Sequence, residues 1–336
     1  MIREAILFEK LEKDAVRCHL CAHRCVINPS RRGICQVREN RDGKLYTHVY
    51  GRIIAENIDP IEKKPLYHFQ PGSRSYSIAT CGCNMSCTHC QNHYISLEAP
   101  LLDPIPGEDR LPEDIVNAAE KSGCRSISYT YTEPIIFAEF ALDCFVLAHE
   151  NNMANVFVTN GFLTPEAIDA LVPGLDAANI DLKGASEEHY RTFCKGRLEP
   201  VLESIEALHE AGVWIEITTL LIPGLNDDDK SLEFVSNFIA SLDPLIPWHI
   251  SRFHPTYKMQ DRPPTPLSSL TKAARAGEKA GLKYIYMGNV PVDSDVTECH
   301  KCGHRLLERA GFSLTDSFIE GEGSCPGCDT PFHGVV

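Results

Sequence analysis

Positive charge is scarce in this chain, which carries 32 lysines and arginines against 46 aspartates and glutamates and has a formal net charge of −14. Proteins that bind nucleic acid usually present a broad basic surface to the phosphates, and binding releases the counterions. The charge balance therefore argues against a nucleic acid partner, although it leaves a local basic groove open.

Long hydrophobic runs are also missing. The longest apolar stretch, residues 135–149, contains Glu139 and Asp143 and is too short to span a bilayer. The first ten residues have acidic side chains among their apolar positions and no small-residue cleavage site, unlike a secretory signal. We therefore expect a cytoplasmic protein with no membrane partner. In that reducing compartment, closely spaced cysteines are more often metal ligands than disulfides.

Cysteine is abundant by contrast, with 15 residues, and the most informative group is Cys83, Cys87 and Cys90 at C-x3-C-x2-C spacing. A [4Fe–4S] cube takes one sulfur ligand for each iron, so three cysteines leave one iron open to a ligand from outside the protein. The alternative is that these cysteines are buried thiols or a zinc knuckle. Cys81 does not fit the spacing, and we interpret it as a free thiol.

A second group, near the C-terminus, consists of two C-x2-C pairs separated by about twenty residues, which is the spacing of a tetrahedral zinc ribbon. Gly303 and Gly327 permit the turns that aim paired thiolates at one ion. We interpret the ribbon as a structural clip for a segment too short to form its own core, and partner or substrate recognition is the alternative. The ligands are Cys299, Cys302, Cys325 and Cys328.

A third group, near the N-terminus, supplies four more thiolates. Zinc and an auxiliary iron–sulfur cluster both accept four thiolates, and this spacing belongs to neither a zinc ribbon nor a ferredoxin. The sequence thus predicts a metal site without deciding the metal. Cys124, Cys144 and Cys194 have no partner spacing and are expected to be buried thiols. The four ligands are Cys18, Cys21, Cys25 and Cys35, with His19 and His23 between them.

Short β-branched runs alternate with helix-patterned segments along the middle of the chain, which is typical of βα units around a parallel sheet. The pattern predicts an α/β fold in the form of a partial (βα)6 barrel. The first run leads directly into the central cysteines. The predicted strands are Ser75–Thr80, Ser126–Tyr131, Asn155–Thr159, Ala178–Leu182, Val213–Leu221 and Trp248–Phe253, with Lys283–Met287 as a further candidate.

Helix boundaries are marked by two kinds of residue. Thr164 and Thr265 each place a capping hydroxyl before a proline in the first turn. Glycines stand where three helices should end, at Gly123, Gly212 and Gly281. We expect three parts in the chain: a Cys-rich N-terminal extension over residues 1–70, the barrel over 71–290, and a small zinc-ribbon-like domain over 291–336.

Polar residues follow the predicted strands directly. In α/β barrels the catalytic groups lie on loops at the carboxyl ends of the strands, so these residues are expected to share one site. Each of them alone is commonly a solvated surface group or part of a turn. Their occurrence in order after the cysteine motif favours the shared site. They are Thr132, Glu133, Asn160, Asp181, Lys183 and, after the sixth strand, His254.

Together, these motifs resemble those of the radical S-adenosylmethionine (SAM) enzymes. Several stretches narrow the resemblance to the radical SAM component of the AmmeMemoRadiSam system, which is related to the pyruvate formate-lyase activating enzymes. They are residues 18–21, 59–69, 129–134, 216–219 and 248–254. The resemblance implies a [4Fe–4S] cluster on the three central cysteines, whose open iron binds SAM and whose electron cleaves it to a 5′-deoxyadenosyl radical.

The resemblance also assigns two of the SAM contacts. Glu133, with Thr132, would accept hydrogen bonds from the SAM ammonium, since Glu133 and Pro134 match the Gly-Gly-Glu-Pro of the activating enzymes while both glycines are replaced. Lys183 would approach the SAM carboxylate, because residues 181–183 reproduce the Asp-Leu-Lys of that branch.

Other positions depart from the family pattern. His89 stands where the family usually has an aromatic residue against the adenine, and a planar imidazole can stack there as well. The activating enzymes have Asp-Thr-Asn-Gly where this chain has Val158 and then Thr159-Asn160-Gly161, so a carboxylate thought to help hold a monovalent cation is lost. His254 is a candidate contact to the ribose or the substrate.

The sequence does not identify the substrate. By analogy with the glycyl-radical activating enzymes, the substrate would be a glycine of a partner protein. Relatedness of fold does not determine the substrate, however. The resemblance implies a reductant protein of the flavodoxin or ferredoxin type and companions from the AMMECR and Memo families. A non-enzymatic alternative is that every cysteine group binds zinc and the chain is an interaction scaffold.

Overall fold

The computed structural model describes residues 1–290, 295–321 and 323–336. Residues 1–50 form short strands in two antiparallel sheets of three strands each, in the orders β1-β6-β5 and β2-β3-β4. Their bounds are β1 Arg3–Glu4, β2 Phe8–Lys10, β3 Val16–Cys18, β4 Val26–Ile27, β5 Arg38–Arg41 and β6 Lys44–Thr47.

Residues 51–290, all of them described, contain a sheet of nine strands in the order β15-β14-β13-β12-β11-β10-β8-β7-β9. Neighbours from β8 to β15 run parallel, and β7 pairs antiparallel with both β8 and β9. The bounds are β7 Arg52–Pro60, β8 Arg74–Thr80, β9 Glu108–Asp109, β10 Ser126–Tyr129, β11 Ala154–Thr159, β12 Ala177–Asp181, β13 Trp214–Leu221, β14 Trp248–Arg252 and β15 Ile285–Gly288.

The prediction of an α/β fold with a parallel sheet is confirmed. Each predicted strand is present, with ends shifted by no more than two residues. The partial (βα)6 barrel and the division at residues 70 and 290 stay predictions. The sheet includes residues on both sides of position 70, because β7 pairs with β8 along most of its length.

Helices connect the parallel strands, and the described part of the chain contains seven α-helices. They are α1 Pro112–Lys121, α2 Ala138–Glu150, α3 Pro165–Leu171, α4 Glu187–His189, α5 Glu199–Glu210, α6 Asp229–Leu242 and α7 Leu267–Ala280. The parallel strands are buried along most of their length, as expected when other elements cover both faces of a sheet. Among the described residues, no helix is both long enough and apolar enough to cross a membrane.

The predicted helix boundaries are largely confirmed. Thr164 caps α3 by accepting a hydrogen bond from Ala167 N at 3.2 Å. Gly123 and Gly212 follow α1 and α5 with φ of 62° and 81°, and Gly281 ends α7 with φ of 99°. These left-handed conformations favour glycine.

The prediction that Thr265 caps a helix is wrong. The residue before α7 is Pro266, and no side chain caps that helix. Thr265 is fully buried, and its hydroxyl donates to Leu221 O at 2.6 Å and accepts from Phe253 N at 2.9 Å. The hydroxyl therefore joins the ends of two neighbouring strands, because buried backbone groups at that position need partners.

The C-terminal segment forms an antiparallel sheet of β16 Asp295–Glu298, β17 Arg305–Ala310 and β18 Ser313–Ser317. Arg309 ties this sheet to the rest of the protein. Its guanidinium is fully buried, donates to Tyr67 O at 2.5 Å and to Thr297 Oγ1 at 2.8 Å, and lies 3.7 Å from the buried carboxylate of Glu62.

We expect Arg309→Ala to lower the free energy of unfolding by about 3 to 5 kcal/mol, because it leaves the buried Glu62 without its cation. Arg305 on the same strand is a matched control: its side chain is 64% exposed and pairs with Glu308. Arg305→Ala should change the free energy by less than about 1 kcal/mol. Urea unfolding followed by circular dichroism measures both, and equal effects would contradict the anchoring role of Arg309.

Candidate active site

A cavity of about 620 Å³ opens at the carboxyl ends of the parallel strands. Because all parallel strands end at the same edge, side chains that are distant in sequence converge there. Most of the predicted site residues line this cavity: Cys83, Cys87, His89, Cys90, Thr132, Glu133, Asn160, Asp181 and Lys183. A surface groove of similar volume lies between α6 and α7, and its lining includes none of these residues.

The three central cysteines lie on the irregular loop that follows β8, and all three are half-buried. Their sulfur atoms do not all lie within 4.8 Å of one another, as ligands of a single ion would. Ligands that bind different irons of a cube are farther apart than ligands of one ion, so the arrangement is compatible with a [4Fe–4S] cluster.

Backbone hydrogen bonds hold this loop against a π-helical turn, Tyr190–Cys194. Ser86 N donates to Cys194 O and Thr88 N donates to Phe193 O, both at 2.9 Å. The proline-rich segment after β14 also contacts the loop, since Lys258 N donates to Thr88 O at 3.1 Å. The loop is therefore positioned by two segments that lie far from it in the sequence.

Cys194 was expected to be a buried thiol without a partner, and the structure confirms its burial but places it beside the loop. Its sulfur, the Cys87 sulfur and an imidazole nitrogen of His89 lie within 4.8 Å of one another. A hydrogen bond with the Cys194 thiol lowers the pKa of Cys87 and raises the pKa of Cys194. Sequence reasoning missed this proximity, because no local spacing connects the two cysteines.

Glu133 is a buried carboxylate in the cavity wall, with 2% of its surface exposed. Its oxygens accept hydrogen bonds from Thr159 Oγ1 at 2.7 Å, Asn160 N at 2.8 Å and Ile135 N at 3.3 Å. Burial raises its pKa to about 7 despite these donors. Since a carboxylate offers about four acceptor positions, Glu133 keeps capacity for one more donor.

Two neighbouring polar side chains are already engaged within the protein. The Thr132 hydroxyl donates to Thr80 O at 2.9 Å. The Asn160 amide donates to Asn84 Oδ1 at 2.8 Å and faces the Cys83 sulfur at 3.8 Å. Asn160 thus connects the end of β11 to the cysteine loop.

Lys183 stands directly after β12 and forms an ion pair with Asp181, with 2.7 Å between Nζ and Oδ2. Burial alone would lower the pKa of Lys183, but Asp181 and the thiols of Cys87 and Cys194 together raise it well above its usual value. The backbone N–H of Lys183 donates to the Tyr190 hydroxyl at 2.9 Å. The side chain therefore presents a cation to the cavity.

The two predicted histidines occupy different environments. His89 is 5% exposed and lines the cavity; burial, with the charge of Lys183, lowers its pKa to about 3, and its Nδ1 has no hydrogen-bond partner among the described residues. His254 is exposed and is not among the residues that line the cavity.

A polar part of the cavity wall was not assigned from the sequence. Lys64 is buried and donates to Asp59 at 2.6 Å, and Asp59 also accepts a hydrogen bond from the Tyr131 hydroxyl at 2.5 Å. Burial lowers the pKa of Lys64 to about 8. Tyr131 has a φ of 62°, which is uncommon for a non-glycine residue and is maintained here by its surroundings. Residues 59–69 carried part of the resemblance, but no motif indicated that Lys64 would line the cavity.

The C-terminal cysteines converge as predicted. The sulfur atoms of Cys299 and Cys328 lie 3.7 Å apart and those of Cys302 and Cys325 lie 3.6 Å apart. All four sulfurs fall within 4.8 Å of one another. Tetrahedral zinc with Zn–S bonds of about 2.3 Å places its sulfurs about 3.8 Å apart, so the geometry fits a zinc ion.

The other cysteines lie away from the cavity. The N-terminal four line a separate small space beside the cysteine loop. Cys124 and Cys144 are buried as expected. Cys81 is also buried, and its thiol donates to Pro106 O at 3.5 Å.

Comparison with known proteins gave the following matches. The sequence model of the Radical SAM superfamily matches residues 77–235. An uncharacterized protein of Methanocaldococcus jannaschii is 46% identical over 314 residues, which is 93% of each chain. The pyruvate formate-lyase 1-activating enzyme of Escherichia coli K12 is 25% identical over 182 residues, covering 50% of this chain and 71% of the relative. A solved radical SAM methyltransferase from Sphaerobacter thermophilus has a TM-score of 0.51 at 16% identity, covering 66% of this chain and 68% of the other.

We expect mild oxidation of the metal-depleted protein with diamide to link Cys87 to Cys194, because the thiols are adjacent and the lowered pKa of Cys87 favours the attacking thiolate. Mass spectrometry of unreduced peptides measures the link. Cys144, which is buried and has a raised pKa, is the control that should stay unmodified. A dominant link between Cys87 and Cys83 or Cys90 would contradict this geometry.

Proposed function

The chain contains a Radical SAM superfamily domain over residues 77–235, and from that premise we propose that it is an enzyme that cleaves SAM at a [4Fe–4S] cluster bound by Cys83, Cys87 and Cys90. When bound, such a cluster supplies one electron to the sulfonium of SAM, which breaks the C5′–S bond and yields methionine and a 5′-deoxyadenosyl radical that abstracts hydrogen from the substrate. Within the proposed fold, a partial (βα)6 barrel would hold this cavity at its mouth.

One observation carries the proposal. The three thiols lie at the carboxyl edge of the parallel sheet, in the wall of the same cavity as a buried carboxylate, Glu133, and a half-buried ammonium, Lys183. The methionine part of SAM carries the opposite charges. A site for this zwitterion needs an acceptor for its ammonium and a cation for its carboxylate, and both are within this wall.

The residues of this chain would then have distinct roles. Lys183 would pair with the SAM carboxylate. Asp181 orients its ammonium, and because an ammonium has three N–H donors, this one partner leaves donors for the ligand. Glu133 would accept from the SAM ammonium, and the nearby cation would hold its carboxyl ionised against the effect of burial. Asn160 would donate a weak hydrogen bond to the Cys83 thiolate.

The histidines have less direct support. His89 would stack on the adenine, since it is planar, lies in the cavity wall and is followed directly by a proposed cluster ligand. A contact from His254 would require a substrate that extends beyond the residues lining the cavity.

The remaining features of the proposal concern other molecules. A zinc ion in the C-terminal ribbon would act as a structural clip. A flavodoxin or ferredoxin type protein would supply electrons, and companions of the AMMECR and Memo families follow from the sequence resemblance alone. The similarity to the Escherichia coli activating enzyme covers half of this chain and does not favour a protein glycine over a small molecule as hydrogen donor.

We expect Cys87→Ala to abolish the formation of 5′-deoxyadenosine from SAM in anaerobic protein reduced with dithionite, because one iron ligand is lost. Cys302→Ala should instead lower thermal stability and leave deoxyadenosine formation largely intact, since Cys302 lies in the ribbon. Mass spectrometry of the reaction mixture and thermal unfolding measure the two effects. Equal loss of turnover in both variants, with both folded, would contradict this division of roles.

We expect Lys183→Met to weaken SAM binding by about 10- to 100-fold, because a hydrogen bond between charged groups contributes about 1.5 to 3 kcal/mol. Lys195→Met is the control, since Lys195 is exposed and outside the cavity. Equilibrium dialysis with SAM, on anaerobic protein of equal iron content, measures both. An unchanged affinity in Lys183→Met would show that this lysine does not hold the SAM carboxylate.

A further inference from the structure

The N-terminal cysteines form a cage, defined by Cys18, Cys21, Cys25 and Cys35. Strand β3 ends at Cys18, the following turn carries Cys21 and Cys25 back towards β4, and Cys35 comes from the loop before β5. All four line one small cavity whose other walls are largely apolar. These walls include Leu20, Ile27, Ile34 and Ile136.

The space enclosed by the cage is about 20 Å³, which is large enough for one water molecule. A tetrahedral zinc site closes around its ion with Zn–S bonds of about 2.3 Å and leaves no such room between the sulfurs. The C-terminal ribbon of the same chain has that closed form, with paired sulfurs 3.6 and 3.7 Å apart. The cage is therefore wider than a zinc site.

The separation of the sulfurs leads to the same conclusion. No three of the four cage sulfurs, all of which the structure describes, lie within 4.8 Å of one another. The sulfur ligands of a cube bind four different irons, so they surround the cluster at larger mutual distances. We propose that the N-terminal cage binds a second iron–sulfur cluster of the [4Fe–4S] type, with all four irons ligated by this chain.

Two further features fit a buried cluster. Gly33 approaches the cage so closely that a Cβ there would lie 3.2 Å from Ile27 and 3.8 Å from the Cys25 sulfur. Arg38 lines the cage and pairs with Glu139, and both side chains are only 2% exposed. Arg38 therefore places a buried guanidinium, compensated by Glu139, beside the four cysteines.

The cage adjoins the central cysteine loop. Asn84, the residue after Cys83, lines the cage, and its carbonyl accepts a hydrogen bond from His23 Nε2 at 2.7 Å. His23 stands between Cys21 and Cys25. With clusters bound at both cysteine groups, this contact would connect them, so that one electron from a reduced flavodoxin or ferredoxin type protein could pass from the cage to the loop with no atom transferred. This relay, unlike the cage site itself, rests on the proposed function.

The test is metal analysis of anaerobically reconstituted protein for iron, sulfide and zinc. We expect about eight irons and eight sulfides per chain, because two clusters are present. The triple variant Cys83→Ala/Cys87→Ala/Cys90→Ala should retain about four irons and four sulfides and, after reduction with dithionite, an electron paramagnetic resonance signal that SAM does not change. A triple variant with zinc in the cage and no iron would overturn the proposal.

The complementary variant is Cys21→Ser/Cys25→Ser. Its folding is checked by circular dichroism and by the zinc content of the C-terminal ribbon. It should lose half of the iron and keep the SAM-sensitive signal. If it does not fold, the triple variant still decides the question. A failure of the proposed function would give a different result from a failure of the cage proposal. In that case the triple variant would still hold four irons, and the wild-type protein would show no signal that SAM changes.

Discussion

The candidate site depends on how the backbone of the cysteine loop is satisfied. This loop leaves a buried strand and has no regular structure of its own, so its N–H and C=O groups need partners from elsewhere. The turn at Tyr190–Cys194, the segment after β14 and His23 provide them. These partners come from three distant parts of the chain, which explains why the loop occupies one definite position at the edge of the sheet. Loss of any of them would remove a hydrogen bond that positions the loop backbone.

Two groups of opposite charge, Glu133 and Lys183, occupy separate positions in the cavity wall. Glu133 has donors from the end of β11 and Lys183 has an acceptor from the end of β12, so neither charge is buried alone. Burial raises the pKa of Glu133 and so disfavours its charge despite three donors, whereas Asp181 and two thiols raise the pKa of Lys183 and so favour its charge. A ligand with both charges would offset the cost of ionising Glu133 and would give Lys183 a second anionic partner. The same wall would bind a neutral or singly charged ligand less well.

The parts of the fold that were predictable are those determined by local pattern. Buried parallel strands have runs of β-branched residues, and the rule that active residues follow strand ends led to three residues that line the cavity, Glu133, Asn160 and Lys183. Thr265 shows the limit of local pattern, because its hydroxyl bonds two strands instead of the helix that follows it. Cys194 shows a second limit: its approach to Cys87 depends on a π-helical turn docking on the loop, and neither neighbourhood carries a spacing signal.

The three cysteine groups show why sequence spacing does not identify a metal. All offer several closely spaced thiols, and the N-terminal and C-terminal groups both offer four. The ribbon draws its ligands from two tight knuckles, with Gly303 N bonded to Cys299 O and Cys328 N bonded to Cys325 O, so each pair of thiols is held close. The N-terminal ligands come from a strand end, a turn and a separate loop packed around apolar side chains, which holds the sulfurs apart. The distance between thiols is set by these supports, and that distance distinguishes a site for one ion from a site for a cluster.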